Sequence, residues 1–97
     1  MPTQYELLYS RAFDEDLDDI AAYDAVIIRS SVAQLVDQAE IATRHRRRLA
    51  DPVIWCPEAS WQLRVGNYRV LYRVDEGVVR VLRVTFKGRM TTEEMGR

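Results

Sequence analysis

The 97-residue sequence is poor in the residues that define several protein classes. It contains one cysteine, Cys56, so no disulfide can form within the chain. It has four glycines and no glycine-rich loop that would bind a nucleotide. No run approaches the ~20 apolar residues of a membrane span, and the N-terminus lacks the basic and then apolar pattern of a secretion signal. We therefore expect a single domain, residues 1–97, in the cytoplasm and away from membranes.

Charge is divided unevenly between the two halves of the chain. Residues 1–43 carry nine acidic and two basic side chains, a net charge of −7, whereas residues 44–97 carry twelve basic and six acidic ones, a net charge of +6. The overall charge of −1 conceals this asymmetry. A basic half can bind a polyanion while the acidic half faces elsewhere. Two oppositely charged surfaces that attract each other within the fold would explain the same pattern.

The acidic half has the pattern of two helices after a short opening strand at residues 4–9. Ser10 is a suitable N-cap, and apolar residues from Phe13 to Ala21 fall on one helical stripe. Asp24 is predicted to cap a second helix that runs to about Thr43. Together these segments predict a helical hairpin.

The basic half has the pattern of three strands, at about 61–65, 68–75 and 78–87. Gly66-Asn67 and Glu76-Gly77 between them are typical hairpin turns. The order β-α-α-β-β-β predicts an α+β domain with the helical hairpin on one face of a small, mostly antiparallel sheet. Residues 91–95 could add one short helical turn.

Alternation along the strands predicts which side chains share a face of the sheet. In the middle strand, Tyr68, Val70, Tyr72 and Val74 should face the helices. In the last strand, Leu82, Val84 and Phe86 should do so, with Val79, Val81, Arg83 and Thr85 on the opposite face. The pattern thus predicts one exposed cationic face, formed by Arg64, Arg69, Arg73, Arg83 and Lys87.

A dense basic run precedes the sheet, and a loop with two prolines follows the run. Arg44, Arg46, Arg47 and Arg48 could contact phosphates in RNA, or they could form a solvated helix end. Trp55 and Trp61 could stack on bases or close the core. No spacing of histidine, cysteine and carboxylates indicates a metal site, so we expect no metal or other cofactor.

Three segments of the basic half resemble a known family. Residues 64–74 (RVGNYRVLYRV), 79–84 (VRVLRV) and 87–89 (KGR) are similar to the RelE/ParE toxins of type II toxin–antitoxin modules. Element order and length extend the resemblance over nearly the whole chain. It implies a toxin that a cognate antitoxin neutralises by wrapping around it, and homodimers are conceivable.

The family is divided in its targets, and fold alone does not choose between them. RelE-like members inhibit translation by cutting messenger RNA on the ribosome, which is the activity we expect here. ParE-like members poison DNA gyrase without nuclease activity. A degenerate, non-toxic member that acts as a binding partner is a third possibility.

The resemblance also assigns candidate roles to individual residues. For RNA cleavage it implies catalytic roles for Arg69, Lys87 and Arg89, since arginine can stabilise a dianionic phosphorane. Arg64, Arg73, Arg83 and the basic run would bind RNA. The proton-transfer groups are not matched: Ser60 and Gln62 stand where RelE-like nucleases have lysines, and no tyrosine follows Tyr72. His45 is the single histidine, a residue type that can transfer protons near neutral pH, but a linker position favours a surface histidine.

Overall fold

The computed structural model of this chain describes residues 4–87, and it confirms the predicted α+β architecture. Five strands form one mixed sheet in the order β1-β5-β4-β3-β2, in which β1 is parallel to β5 and the other neighbours are antiparallel. The elements in chain order are β1 (Glu6–Tyr9), α1 (Arg11–Asp18), α2 (Ala22–Ala33), α3 (Leu35–Gln38), β2 (Arg46–Arg48), β3 (Trp61–Val65), β4 (Tyr68–Asp75) and β5 (Val78–Phe86). The predicted helical turn at residues 91–95 lies outside the described residues.

Helix α1 begins where the sequence predicts, and its cap also fastens it to the sheet. The Ser10 hydroxyl accepts a hydrogen bond from the Phe13 backbone N–H at 3.0 Å, which satisfies one free donor of the first turn. The same hydroxyl donates to the Leu82 carbonyl of β5 at 2.7 Å. Phe13 and Leu17 are buried against the sheet. The position of α1 relative to β5 is therefore set by one side chain as well as by apolar packing.

The second helix is shorter than predicted, and Asp24 does not cap it. Helix α2 begins at Ala22 and ends at Ala33, and Asp24 in its first turn accepts a hydrogen bond from the Tyr68 hydroxyl instead. The Arg46 guanidinium donates at 3.0 Å to the carbonyls of Gln38 and Ile41. Because these bonds satisfy carbonyls at the end of α3, the helical region stops well before Thr43.

The main core lies between the helices and one face of the sheet. Its fully buried members are Phe13, Ile28, Val32, Leu35, Ala39, Val70, Tyr72, Val79 and Val81. The Tyr72 ring stacks against Trp61, and its hydroxyl donates to the Ala39 carbonyl at 2.6 Å. Burial raises the pKa of Tyr72, so this hydroxyl stays protonated and keeps its bond.

A β-bulge in β5 overturns part of the predicted strand phase. Leu71 is paired with Arg83 but Tyr72 with Val81, so Leu82 is an extra residue. Val79 and Val81 consequently face the helices and are fully buried, whereas Leu82 packs on the opposite face. Alternation assumed an unbroken strand, and it was wrong for these three residues. It holds again beyond the bulge, where Arg83 and Thr85 face away from the helices.

The face opposite the helices is partly covered by the loop between β2 and β3. Val53, Cys56 and Ala59 of that loop pack on Leu71 and form a second, smaller core. Burial raises the pKa of the Cys56 thiol, which makes it a packing residue without an activated sulfur. Arg64 and Lys87 are exposed near the Gly66-Asn67 turn, and Arg73 and Arg80 are exposed toward the other end of β4 and β5.

Replacing Tyr72 with phenylalanine should lower the free energy of unfolding by about 1–2 kcal/mol, because it leaves the buried Ala39 carbonyl without its donor. Urea denaturation measures the change. Tyr23→Phe is the matched control, since Tyr23 is 78% exposed and should give no change. Equal stability of the two variants would contradict a stabilising role for the Tyr72 hydrogen bond.

Candidate nucleic-acid interface

Three arginines from three adjacent strands meet on the sheet face opposite the helices. Arg64 of β3 is the cross-strand partner of Arg69 of β4, and Arg69 is the partner of Thr85 of β5. Arg47 of β2 faces the same way through its pairing with Gln62. We call Arg47, Arg64 and Arg69 the arginine cluster. Their convergence follows from strand register, and of the five cationic side chains predicted for this face only Arg64 and Arg69 belong to the cluster.

Arg69 is the central member of the arginine cluster, and it is almost completely buried, with 5% of its surface exposed. Its Nη1 atom donates to the Tyr68 carbonyl at 3.0 Å and to the Gly66 carbonyl at 3.3 Å. Gly66 has a φ of +57°, so the turn needs glycine there and brings its carbonyl within reach of the guanidinium. One edge of the guanidinium is thus fixed to the backbone, and Nε and Nη2 remain as donors for a ligand.

The electrostatic surroundings of Arg69 are unusual for a buried charge. Burial lowers its pKa, and the positive charges of Arg64 and Arg47 lower that pKa further. Within residues 4–87, no acidic side chain forms an ion pair with any member of the arginine cluster. Buried charges are normally paired, because leaving water costs several kcal/mol per ion. The arginine cluster therefore favours binding of an anion.

Gln62 adds a second unsatisfied group beside the arginine cluster. It lies between Arg47 and Leu71 in the strand register, and its Oε1 atom is buried without a hydrogen-bond partner in the described part of the chain. A buried carbonyl oxygen in this state is destabilising by about 1–3 kcal/mol. Within residues 4–87, the arginine cluster thus has no acidic partner and this oxygen has no donor.

The remaining predicted arginines of the face are separated from the arginine cluster. Arg73 forms an ion pair with Asp75, and both lie toward the opposite end of β4. Arg83 donates from Nε and Nη2 to the two carboxylate oxygens of Asp16, at 2.7 and 2.9 Å, and it lies over the Trp55 ring. Its hydrogen bonds with Asp16 raise the pKa of Arg83. Arg83 is on the predicted face, but its charge is already neutralised.

The basic run is placed differently from the prediction. Residues 46–48 form the edge strand β2, which the sequence did not predict as a strand. Arg46 is buried on the helix side, where it holds the end of α3, so its position corrects its assignment to RNA binding. Arg44, Arg47 and Arg48 are exposed, and Arg47 joins the arginine cluster. Alternation along β2 explains the division, since Arg46 and Arg48 lie opposite Leu63 and Trp61 on the helix side.

The other candidates for catalysis are less well placed than Arg69. Lys87 is exposed just beyond β5, and its backbone N–H donates to the Asn67 carbonyl at the turn end of the sheet. It therefore lies at the same end as Arg69. Arg89 lies outside the described residues. His45 is exposed before β2, and its backbone carbonyl accepts a hydrogen bond from the Arg64 N–H at 2.6 Å, so it lies beside the arginine cluster.

The two tryptophans have different environments. Trp61 is buried in the main core and stacks on Tyr72, so it closes the core. Trp55 is half-buried beside the second core and faces the Arg83 guanidinium at 5.2 Å. Trp55 thus lines the same side of the sheet as the arginine cluster.

Comparison with protein families decides the class of this protein. Residues 7–90 match the family model described as the ParE toxin of the type II toxin–antitoxin system, parDE. The chain belongs to the ParE toxin family. No curated protein matches its sequence.

Solved structures of related toxins share the fold of this ParE-family chain. The archaeal RelE–RelB complex from Pyrococcus horikoshii OT3 matches with a TM-score of 0.69 at 16% identity, covering 90% of this chain and 99% of that one. The RelBE2 complex from Mycobacterium tuberculosis gives 0.65 at 21% identity, covering 86% and 98%. YafQ from E. coli strain BL21(DE3) gives 0.65 at 14% identity, covering 89% and 97%. Identities this low establish the shared fold.

Two kinds of feature are absent from residues 4–87. No helix there is long and apolar enough to cross a membrane. The same residues contain no group of three or more histidine, cysteine, aspartate or glutamate side chains arranged to hold a metal ion.

Sequence reasoning missed the residues that divide the cationic face. The Asp16–Arg83 ion pair joins positions 67 apart, and no local pattern links them. Arg80 was overlooked as well, although it pairs with Arg73 on the same face. Arg80 directly follows Val79, which faces the helices. Recognising the bulge at Leu82 would therefore have predicted that Arg80 faces away from the helices.

Replacing Arg69 with methionine should leave the free energy of unfolding unchanged or slightly higher, because it removes a buried charge that has no acidic partner. Chemical denaturation at low salt measures this, with Arg80→Met as the control on the same face. A loss of more than about 1 kcal/mol in Arg69→Met alone would show that Arg69 is retained for the fold.

Proposed function

We propose that this toxin binds RNA on the ribosome through the arginine cluster and thereby inhibits translation. The supporting observation is the buried Arg69 guanidinium, which has two cationic neighbours and two unused donors. Planar guanidinium groups bind phosphate oxygens in pairs, and phosphate contacts supply sequence-independent affinity for RNA. Such a target would place the protein in the cytoplasm.

The arginine cluster could serve one part of messenger RNA cleavage, the stabilisation of negative charge. Cleavage requires stabilisation of a dianionic phosphorane, and a fixed, poorly solvated guanidinium suits that task. The backbone carbonyls of Gly66 and Tyr68 hold Arg69 in place before substrate arrives, so little reorganisation is needed. Lys87 lies at the same end of the sheet and would add positive charge near the leaving group.

The side chains next to Arg69 are poorly suited to the proton-transfer steps of RNA cleavage. The cross-strand neighbours of Arg69 are Arg64 and Thr85, and neither side chain exchanges protons near neutral pH. Gln62 beside them cannot act as a base. An RNA-binding toxin that blocks the ribosome with slow or no cleavage therefore fits these residues better than an efficient nuclease.

A cognate antitoxin would cover this surface while the toxin is inactive. The solved relatives include toxins in complex with their antitoxins. An acidic segment from such a partner would supply the missing counter-charge to Arg47, Arg64 and Arg69. RNA and antitoxin would then compete for the same cations.

Poisoning of DNA gyrase is a second candidate, and two observations favour it. The matching family model is that of ParE, and the two cross-strand partners of Arg69, Arg64 and Thr85, are not proton-transfer groups. Both activities would stop growth, so the affected process has to be measured directly.

Induced expression in a bacterial host should arrest growth for the native sequence and not for Arg69→Met, while Arg80→Met should arrest growth like the native chain. Arg69 is central to the arginine cluster, and Arg80 lies outside it. Incorporation of labelled amino acids should fall within minutes, with DNA integrity and gyrase supercoiling unchanged. Primer extension on ribosome-bound message would show whether cleavage accompanies the arrest.

Binding of single-stranded RNA in a salt series provides the matching test on purified protein. Loss of one phosphate contact in Arg69→Met should make the slope of log K against log salt shallower by about 0.7. Damaged DNA with stalled gyrase would support the ParE-like activity instead. Growth unaffected by the native chain would indicate a non-toxic member and overturn the proposal.

A further inference from the structure

A cleft of about 460 Å³ lies beside the second half of β5, at the edge of the sheet. In this half of β5 the neighbouring element is α1 and no longer β1. Strand β1 pairs with residues 78–81, and beyond that point the Asp16 carboxylate accepts a hydrogen bond from the Val84 N–H at 3.1 Å. The end of α1 and the loop residue Trp55 form the two walls. This cleft has the size of a small-ligand site.

The lining of the cleft combines aromatic rings with carboxylates. Phe86, which is 39% exposed, stands edge-on to Tyr68 with ring centroids 5.5 Å apart, and Trp55 lies across the cleft. Asp16 is fully engaged with Arg83 and Val84. The Asp19 carboxylate makes no ion pair or hydrogen bond with any side chain described in residues 4–87, so both of its oxygens remain available as acceptors.

This chemistry suits a nucleobase better than a phosphate. Single-stranded RNA is recognised when bases leave the stack, lie against aromatic side chains and present their hydrogen-bonding edges. Carboxylates repel phosphate but accept hydrogen bonds from base N–H groups. Guanine presents two adjacent donors, N1–H and the 2-amino group, which match the two oxygens of one carboxylate.

The cleft is also in the right place relative to the arginine cluster. Thr85 lines the cleft and is the cross-strand partner of Arg69, so the two sites are one strand apart, about 5 Å between paired residues. A nucleotide whose phosphate contacts Arg69 could therefore place its own base, or the next one, in the cleft. The Asp16–Arg83 pair keeps Arg83 out of the phosphate site and forms part of the cleft wall.

We infer that this cleft is a nucleobase pocket that selects guanine, with Phe86 and Trp55 as stacking surfaces and Asp19 as the acceptor. The inference rests on the proposed binding of RNA. It adds a preference for one base to an interface whose arginine contacts carry no sequence information.

The test compares hexauridylate with hexamers that carry one guanine or one adenine, using the full chain labelled with ¹⁵N. The native protein should bind the guanine hexamer at least roughly fivefold more tightly than the adenine hexamer. The Thr85 and Phe86 amides and the Trp55 indole N–H should shift on binding. Asp19→Asn should abolish the preference for the guanine hexamer over the adenine hexamer, and Phe86→Leu should weaken binding of the guanine hexamer.

Asp18→Asn is the matched control, since Asp18 is an exposed acid next to Asp19 that does not line the cleft, and it should retain the preference. RNA binding that depends on Arg69 but shows no guanine preference would overturn the pocket and leave RNA binding intact. Loss of all RNA affinity in the native chain would instead overturn the proposed function. Shifts of the cleft signals with N-acetyl-arginine amide and not with RNA would identify a protein-docking site and also refute the pocket.

Discussion

The proposed RNA-binding surface of this toxin depends on one buried guanidinium that has no acidic partner among residues 4–87. Arg69 is held by two backbone carbonyls of its own turn and surrounded by Arg64 and Arg47. Such an arrangement is destabilising in isolation and favourable once an anion binds. A protein selected for stability alone would place an acid or an apolar residue there, so the position favours a role in binding.

The rest of the structure keeps that guanidinium in place and its neighbours cationic. The helices and the Tyr72 hydrogen bond stabilise one face of the sheet. The loop around Cys56 covers the opposite face near Leu71. Asp16 neutralises Arg83 from the edge, and Asp75 neutralises Arg73 at the far end. Within residues 4–87, acidic side chains thus pair with Arg83 and Arg73 and with no member of the arginine cluster.

Structural features that depend on local sequence pattern were predicted correctly. Features that depend on contacts between residues distant in sequence were missed. Strand alternation and the Gly66-Asn67 turn were enough to predict the hairpin of β3 and β4 and the common face of Arg64 and Arg69. The bulge at Leu82, the strand β2 and the early end of the helices depend on tertiary contacts. Arg46 shows this most clearly, because a residue that looks like part of a basic run is buried to hold the end of α3.

We propose that Arg69 binds a phosphate of RNA, and NMR of the arginine side chains tests this binding most directly. With arginine labelled with ¹⁵N, the Nε–H signal of Arg69 should shift and become protected from exchange with water when single-stranded RNA is added. The Arg80 signal should stay unchanged, because Arg80 lies outside the arginine cluster. An Arg69 signal that does not shift at saturating RNA would contradict phosphate binding by Arg69.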